Sequence, residues 1–514
     1  RKVLRMLANR FFGGQKKLEG VIPDLSMTEL TKQDCVIAVS FQGVGVGLDV
    51  SKNTELFWML NSGLPSEDLL LYFAAPNSLD DIKFDYLEKN SIRALALNHN
   101  ARATTRAPVW PGPSSKAYFR SLRQCINIMV PGFFFDWRRT RFNVWLARCF
   151  MVWAYRYTYW SSFFSSYNVR INVNRDNCSP ERLFADQAIE DLGGISVSFQ
   201  RSLFSIPMVS MAQSTDVHFG FSVDQLQNER DSGSRLRQFV TCGYLRDDAF
   251  SLVRSRAREI RRRLVDCGAR FIVCFFDENS LDDKKRGPSH EYCAQDYHFL
   301  LDEFIRDPEL GLIFKPKQPS TMRRRFGQLV DRIEAAIASG RCIYIGEGVE
   351  EGISVPSMLP CEVSGAADMT IGILHGSTAA TESVLAGGRA LLLDREGYFS
   401  HPMCHTKGTI TFLDWHSLWE ALSGFRKFPD AFSKVGDWSR LLPEIDSFRD
   451  GRASQRMGNY IGWLAESISN GDSRDEAMLK AKSRFESLWG VGTVIEAGSP
   501  IGRPVPSHTI AIGA

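Results

Sequence analysis

Two successive series of short apolar runs, each run followed by a helical or polar stretch, constrain this chain more than any other feature. In the first series Cys35–Phe41 (CVIAVSF) leads into the Gly-rich GVGVG at 43–47, and Leu69–Phe73, Ile92–Leu97, Val169–Val173 and Ile195–Phe199 follow. The second contains Phe271–Phe276, Gly311–Lys315, Cys342–Ile345, Met369–Ile373 and Ala390–Leu393. Compact apolar runs separated by helical stretches favour parallel βαβ units over hairpins, because a parallel strand needs a crossover and is buried on both faces. The helix after Val173 is well punctuated: Ser179 suits its cap, Pro180 its first position, and Gly193-Gly194 its stop. The pattern predicts an α/β chain of two Rossmann-like lobes facing a central cleft. The expected boundaries are a basic segment over 1–34, a first lobe over 35–240, a second over 241–430, and C-terminal helices with a tail over 431–514. The stretches 216–219 and 240–244 are expected to mark the crossover between lobes. In the last part Ser454–Asn470, capped by Ser454, and Asp475–Trp489 read as amphipathic helices, and 495–514 as a loose tail.

Charge and cysteine usage exclude several classes. With 62 Lys+Arg against 59 Asp+Glu the net charge is +3, which argues against a general nucleic-acid binder. The 11 cysteines show no CxxC pair or metal-ligand spacing, so reduced thiols are expected rather than a disulfide scaffold or a metal site. No apolar run reaches the ~18 residues of a membrane span. The average conceals a belt, however. Residues 118–160 hold seven arginines (120, 123, 138, 139, 141, 148, 156) and a single acid, Asp136, interleaved with Phe133 to Phe135, Trp137, Trp145, Trp153 and Trp160. A basic-aromatic helix of this kind suits an anionic membrane surface or an anionic acceptor, with Arg138, Arg139, Arg141, Trp145 and Arg148 as its contacts. A core helix with snorkelling arginines is the alternative.

Chemistry concentrates in the second series. A strand ending at Leu374 runs through His375-Gly376-Ser377-Thr378 into a helix, and hydroxyls and N–H groups at a helix N-terminus form an anion site. Glu382 lies one turn further on, nearly on the same face, where a carboxylate can accept from sugar hydroxyls. A plain βαβ turn with hydroxyl capping is the alternative. Lys315 and Lys317 end another strand, at the edge where parallel sheets bind ligands. Glu278 and Ser280 follow the first strand of the series and face the same crevice, Glu278 toward sugar or ribose and Ser280 toward phosphate.

The order of these features resembles a known family. A Gly-containing first loop, Gly193-Gly194 before Gln200, an Asp in the next strand, a Gly before the second lobe, Lys315-Pro316 with Pro319, and Ser377-Thr378 before Glu382 are similar to the GT-B glycosyltransferases of bacterial surface polysaccharide synthesis. The nearest in character are capsule-type Kdo transferases, bacterial sialyltransferases and teichoic-acid glycerophosphotransferases, and the resemblance covers roughly residues 35–430. In these families a Lys-Pro-His-Pro loop and a Ser/Thr pair bind the donor's phosphate. The resemblance therefore implies that Lys315, Ser377 and Thr378, with Lys317 as a point charge, bind nucleotide phosphate and that Glu382 binds the donor sugar; Ser280 as a phosphate contact and Glu278 as a sugar contact rest on their loop position alone. Lys317 stands where the family has His, and Pro319 comes one residue late. The implied activity is transfer of a sugar from a CMP-, UDP- or GDP-linked donor to a surface-glycan or lipid-linked acceptor. No obligatory metal is expected, since Asp282-Asp283 falls in a polar loop rather than at a strand end. Asp49 is the candidate general base, or else a helix cap for 51–62, and His375 the second candidate catalytic residue, or else a turn histidine. The expected location is cytoplasmic, peripheral to the inner face of the membrane. A CDP-polyol phosphotransferase, a sugar-nucleotide epimerase and a non-catalytic binding module on the same fold remain open alternatives.

Overall fold

The computed structural model describes residues 37–41, 45–47, 54–59, 62–75, 79–119, 123, 140–175, 180–203, 206–278, 280, 289–350, 353–356, 358–397 and 402–498. Two separate sheets organise them. The first contains β1 (Ile37–Ser40), β2 (Leu69–Phe73), β3 (Arg93–Ala96), β4 (Ile171–Asn174), β5 (Ile195–Phe199), β6 (Ser214–Gly220) and β7 (Arg235–Thr241), all parallel. The second contains β8 (Phe271–Phe276), β9 (Leu310–Lys315) and β10 (Cys342–Tyr344), then, after a hairpin of β11 (Glu347–Glu350) and β12 (Ile353–Pro356), β13 (Met369–Ile373), β14 (Ala390–Leu393) and β15 (Thr411–Phe412). Its six strands are also parallel. The two Rossmann-like α/β lobes expected from the sequence are both present.

Why these runs became strands is visible in their burial. The β2, β5 and β8 residues are buried at every position, so both faces are covered and the sequence carries no alternation. In the second sheet Val273, Phe275, Leu312, Phe314, Ile371 and Leu391 form one core with the helix His290–Arg306. Its first turn is fixed by Ser289, whose side chain accepts from the Tyr292 N–H at 3.1 Å.

Several expectations change. Residues 216–219 do not mark a crossover, since they lie within the buried strand β6 of the first sheet; the chain leaves that sheet within 240–244, where β7 ends at Thr241 and Gly243, with φ of +90° and a close approach to Asp446, makes the turn. Ser454 is not a cap. It is buried inside the helix Ala453–Ser469, and its hydroxyl donates to the Asp248 carboxylate at 2.7 Å. The tail begins as structure, because β16 (Val494–Glu496) pairs antiparallel with β7. The closing helices also belong to the first lobe's interior: Met457, Tyr460, Ile461 and Phe485 share a core with Ile37, Leu71 and Val217. The helix Arg474–Trp489 is set by a capping box between Ser473 and Glu476. Of the stretch expected as a helix, Thr54 makes a parallel bridge to Gly45 and residues 55–59 form a turn.

The helix Thr140–Ser166 divides in two. Its carboxyl half is core, with Trp160, Phe163 and Phe164 packed around Tyr72 and Trp110. Its amino half leaves Phe142, Trp145 and Trp153 exposed, Trp145 by 58%. No helix among the described residues is long and apolar enough to cross a membrane.

Candidate functional site

A doubly wound sheet opens a crevice where its strand order reverses, because the loops leaving the two central strands diverge to opposite sides. The second sheet runs β10-β9-β8-β13-β14-β15, so its reversal lies between β8 and β13. Around it stand Asp277 and Glu278 after β8, Lys315 to Lys317 at the end of β9, and His375 to Thr378 after β13.

Asp277 ties these loops together. Its carboxylate accepts from the Arg325 guanidinium at 2.8 Å, from the Tyr297 hydroxyl at 3.1 Å and from the Lys317 backbone N–H at 2.6 Å. The Asp277 and Arg325 side chains are 1% and 2% exposed. Burial pushes the Asp277 carboxyl up from the usual range, while Arg325 pulls it back. Removing either partner would leave the other as an uncompensated buried charge. The carboxylate of Glu278 pairs with the Lys317 ammonium and presses against Gly376, where any side chain would overlap it.

Lys315 differs from its neighbours. It is only partly exposed, and among the described residues none accepts a hydrogen bond from its ammonium. Burial lowers its pKa below the ordinary lysine value, and the nearby Glu382 carboxylate partly restores it. Glu382 is itself 5% exposed: its oxygens accept from the Tyr244 hydroxyl at 2.6 Å and the Cys361 N–H at 2.8 Å. The helix Thr378–Leu385 starts where the sequence predicts, with Ser377 buried at its head. The Thr378 hydroxyl accepts from the Leu203 N–H at 3.2 Å, a bond that crosses from one lobe to the other.

Ser280 and His375 lie beside this frame, and the other predicted positions do not. Ser280 is buried, its hydroxyl shared with His290 Nδ1 at 2.8 Å and reached by Arg325 at 3.4 Å. His375 is exposed and lines a cavity with Asp277, Glu278, Asp394 and Arg395. Asp49, Arg138, Arg139 and the Asp282-Asp283 pair fall outside the described residues, as does the Arg141 side chain; Arg148 is exposed on its helix. Gln200 is buried and staples the first lobe's loops, accepting from the Phe221 N–H at 2.9 Å and donating to the Ser202 carbonyl at 3.0 Å.

Sequence reasoning missed Arg325, Asp277 and Tyr244. Arg325 sits in a run of three arginines that reads as solvated charge, and only the fold buries the third. Tyr244 follows the β7 strand, and nothing local couples it to a glutamate 138 positions later.

The first sheet runs β16-β7-β6-β5-β4-β1-β2-β3 and reverses between β1 and β4. There Glu55, in the loop after β1, pairs with Arg175, just after β4, their side chains 5% and 11% exposed. A cavity beside the pair takes Gln200 and Arg201 from the end of β5 and Tyr244, Leu245 and Arg246 from beyond β7. Tyr244 therefore separates this cavity from Glu382. Among the described residues no group of three or more His, Cys, Asp or Glu side chains is placed to hold a metal.

No family model matches the chain, and no curated protein does. Solved structures with a broadly similar course include a UDP-GlcNAc 2-epimerase from Neisseria meningitidis bound to UDP-GlcNAc, at 10% identity and a TM-score of 0.46 over 82% of this chain and 98% of that one. The wall teichoic acid polymerase TagF gives 11% identity and a TM-score of 0.45 over 91% and 98% of the two chains. An α,α-trehalose-phosphate synthase from Burkholderia xenovorans gives 12% and 0.42 over 82% and 99%. At these values the two-lobed α/β architecture stands on the chain's own sheets.

Proposed function

We propose that the protein is a glycosyltransferase that moves a sugar from a nucleotide donor to a glycan or lipid-linked acceptor. The observation that carries this reading is the Lys315 ammonium, partly buried at the mouth of the second lobe's crevice with no described hydrogen-bond acceptor. A desolvated cation without a hydrogen-bonding partner is costly, and a bound anion removes the cost. Ser377 and the start of the helix Thr378–Leu385 stand on a loop of the same crevice, so a diphosphate would meet Lys315 and a helix N-terminus, and would compete with Glu278 for Lys317.

The chemistry follows from that placement. The acceptor hydroxyl oxygen attacks the anomeric carbon, the bond from that carbon to the donor phosphate oxygen breaks, and the electron pair leaves with the phosphate. Lys315 stabilises the charge that develops there, which requires no metal. A base takes the hydroxyl proton; Asp49 is the candidate from the first lobe. Glu382 and Glu278 are the candidate sugar contacts, and His375 stands at the rim of the same crevice. The hydrogen bond from Tyr244 to Glu382 supports a donor site that is shaped by both lobes. A CDP-polyol phosphotransferase would use the same phosphate contacts, and nucleotide preference separates the two.

The exposed half of the helix Thr140–Ser166 supports a peripheral position at an anionic membrane. Phe142, Val144, Trp145, Leu146, Phe150 and Trp153 are exposed, Arg148 lies among them, and the helix contains no acid. Flotation with anionic liposomes tests this, and failure to co-float contradicts it.

Thermal unfolding with CMP, CDP, UDP and GDP tests the donor reading. One nucleotide is expected to raise the midpoint, by about 2.7 kcal/mol of stability at a hundred times its Kd.

A further inference from the structure

The first lobe carries another cavity, at the edge of its sheet away from the reversal loops. The parallel strands β5, β6 and β7 begin there, at Ile195, Ser214 and Arg235, and the antiparallel β16 closes the side. Its volume is about 480 Å³, in the range of small-ligand sites and far above the space of one water. Leu226, Leu236, Phe239 and Ile495 form one side, an apolar cluster separate from the main cores. The other side is polar, where Ser214, Thr215 and Ser234 bring hydroxyls and Asp216 a carboxylate.

Asp216 points to a ligand. It is 3% exposed, and its Oδ2 accepts from the Ser196 N–H at 2.9 Å and the Ser196 hydroxyl at 3.1 Å. Its Oδ1 accepts no hydrogen bond from the described residues: guanidinium nitrogens of Arg474 and Arg237 stand 3.6 and 3.8 Å away. Arg474 Nη1 is itself buried without a hydrogen-bond partner. A desolvated carboxylate oxygen without a hydrogen bond is costly. A gap of this width admits a hydroxyl that donates to Asp216 Oδ1 and accepts from Arg237. The surrounding charges are already matched. Arg237 pairs with Asp475 at 2.8 Å, Glu190 with Arg474 at 3.2 Å, and Glu496 with Lys482 at 3.3 Å. A neutral ligand therefore fits this wall better than an anion or a cation. A sugar ring has the matching chemistry: adjacent hydroxyls that each donate and accept, on a carbon frame whose C–H face suits Leu236 and Phe239.

We propose that this cavity is a carbohydrate site remote from the donor crevice, in which a ring hydroxyl bridges Asp216 and Arg237 and the ring lies against Leu236 and Phe239. The site is built by the first lobe alone and does not rest on the transferase reading.

Ligand-observed saturation-transfer NMR on the full chain tests it, with the methyl glycosides of glucose, galactose, mannose and N-acetylglucosamine as probes. At least one is expected to receive saturation from the protein, in the unmodified chain and in Lys315→Ala alike. Ser214→Trp, at an exposed position, fills the cavity and is expected to abolish the signal. Asp216→Asn keeps the size of the side chain but turns a charged acceptor into an amide. It is expected to raise the Kd about tenfold or more, the scale of one hydrogen bond to a charged group. An unchanged unfolding midpoint shows that a variant is folded, and Ser214→Trp alone decides the question if Asp216→Asn unfolds. No transfer to any probe, transfer unchanged by both cavity variants, or transfer lost with Lys315→Ala overturns the proposal. Failure of every nucleotide to stabilise the unmodified protein contradicts the transferase reading instead, and the glycoside titration still decides the cavity.

Discussion

The two sheet reversals solve the same geometric problem with different electrostatics. Each is braced by a buried ion pair: Glu55 with Arg175 in the first lobe, Asp277 with Arg325 in the second. In the second lobe the remaining charges are nearly matched, since Lys317 meets Glu278, and Lys315 alone lacks a hydrogen-bonded partner among the described residues. The first lobe's cavity is lined by Arg175, Arg201 and Arg246, with Glu55 as the carboxylate among its described lining residues. A partly buried ammonium in a rigid frame suits one defined anion, whereas an ion pair satisfied within its own lobe holds the loops of its reversal. Tyr244 and Thr378 each take part in a hydrogen bond between segments of the two lobes, at 2.6 Å to Glu382 and 3.2 Å from Leu203.

The strongest way to break this contrast is to remove its frame. Arg325→Ala should cost about 3–5 kcal/mol of stability in denaturant unfolding, because it strands Asp277 in the interior. A cost below about 1 kcal/mol would show that the pair does not brace the crevice. Lys315→Ala should leave the fold intact and lower turnover about 100-fold or more, the scale of losing one charge-stabilising contact. Unchanged turnover would move the donor phosphate elsewhere. Tyr244→Phe probes the boundary: it removes a donor to the buried Glu382 carboxylate, and a loss of about 1–3 kcal/mol is expected in unfolding.

The smallest expected effect concerns pH. Burial and the adjacent Asp446 push the Asp247 carboxyl up to about 7, well above its unfolded value. The folded state thus favours the protonated form: its stabilising contribution is complete below the unfolded pKa and is lost as pH rises toward 7. Asp247→Asn should flatten that decline between about pH 4 and pH 7, read by unfolding midpoints across the window. An identical slope in both proteins would place the titration elsewhere.

How much of this was legible in the sequence depends on the range of the interaction. The strands β13 and β14 fall where their apolar runs predict, because burial on both faces writes itself locally. The β6 strand was obscured by Asp216 and His218, polar residues buried through bonds to Ser196 and Ser198 on the neighbouring strand. Burial also drives the His218 pKa down to about 3. The β16 pairing joins residues more than 250 positions apart, which no local pattern encodes. Near the second reversal, the positions of Lys315 at a strand end and of Thr378 at a helix start were legible in their spacing. The contacts of Arg325 with Asp277 and of Tyr244 with Glu382 were not, since they exist only once distant loops converge.

The central claim is that Lys315 marks a nucleotide site. Thermal unfolding of the unmodified protein and of Lys315→Ala, each with CMP, CDP, UDP and GDP, tests it most directly. The account predicts that one nucleotide stabilises the unmodified protein and that the shift disappears in the variant. No shift with any nucleotide, or the same shift in both proteins, would contradict it.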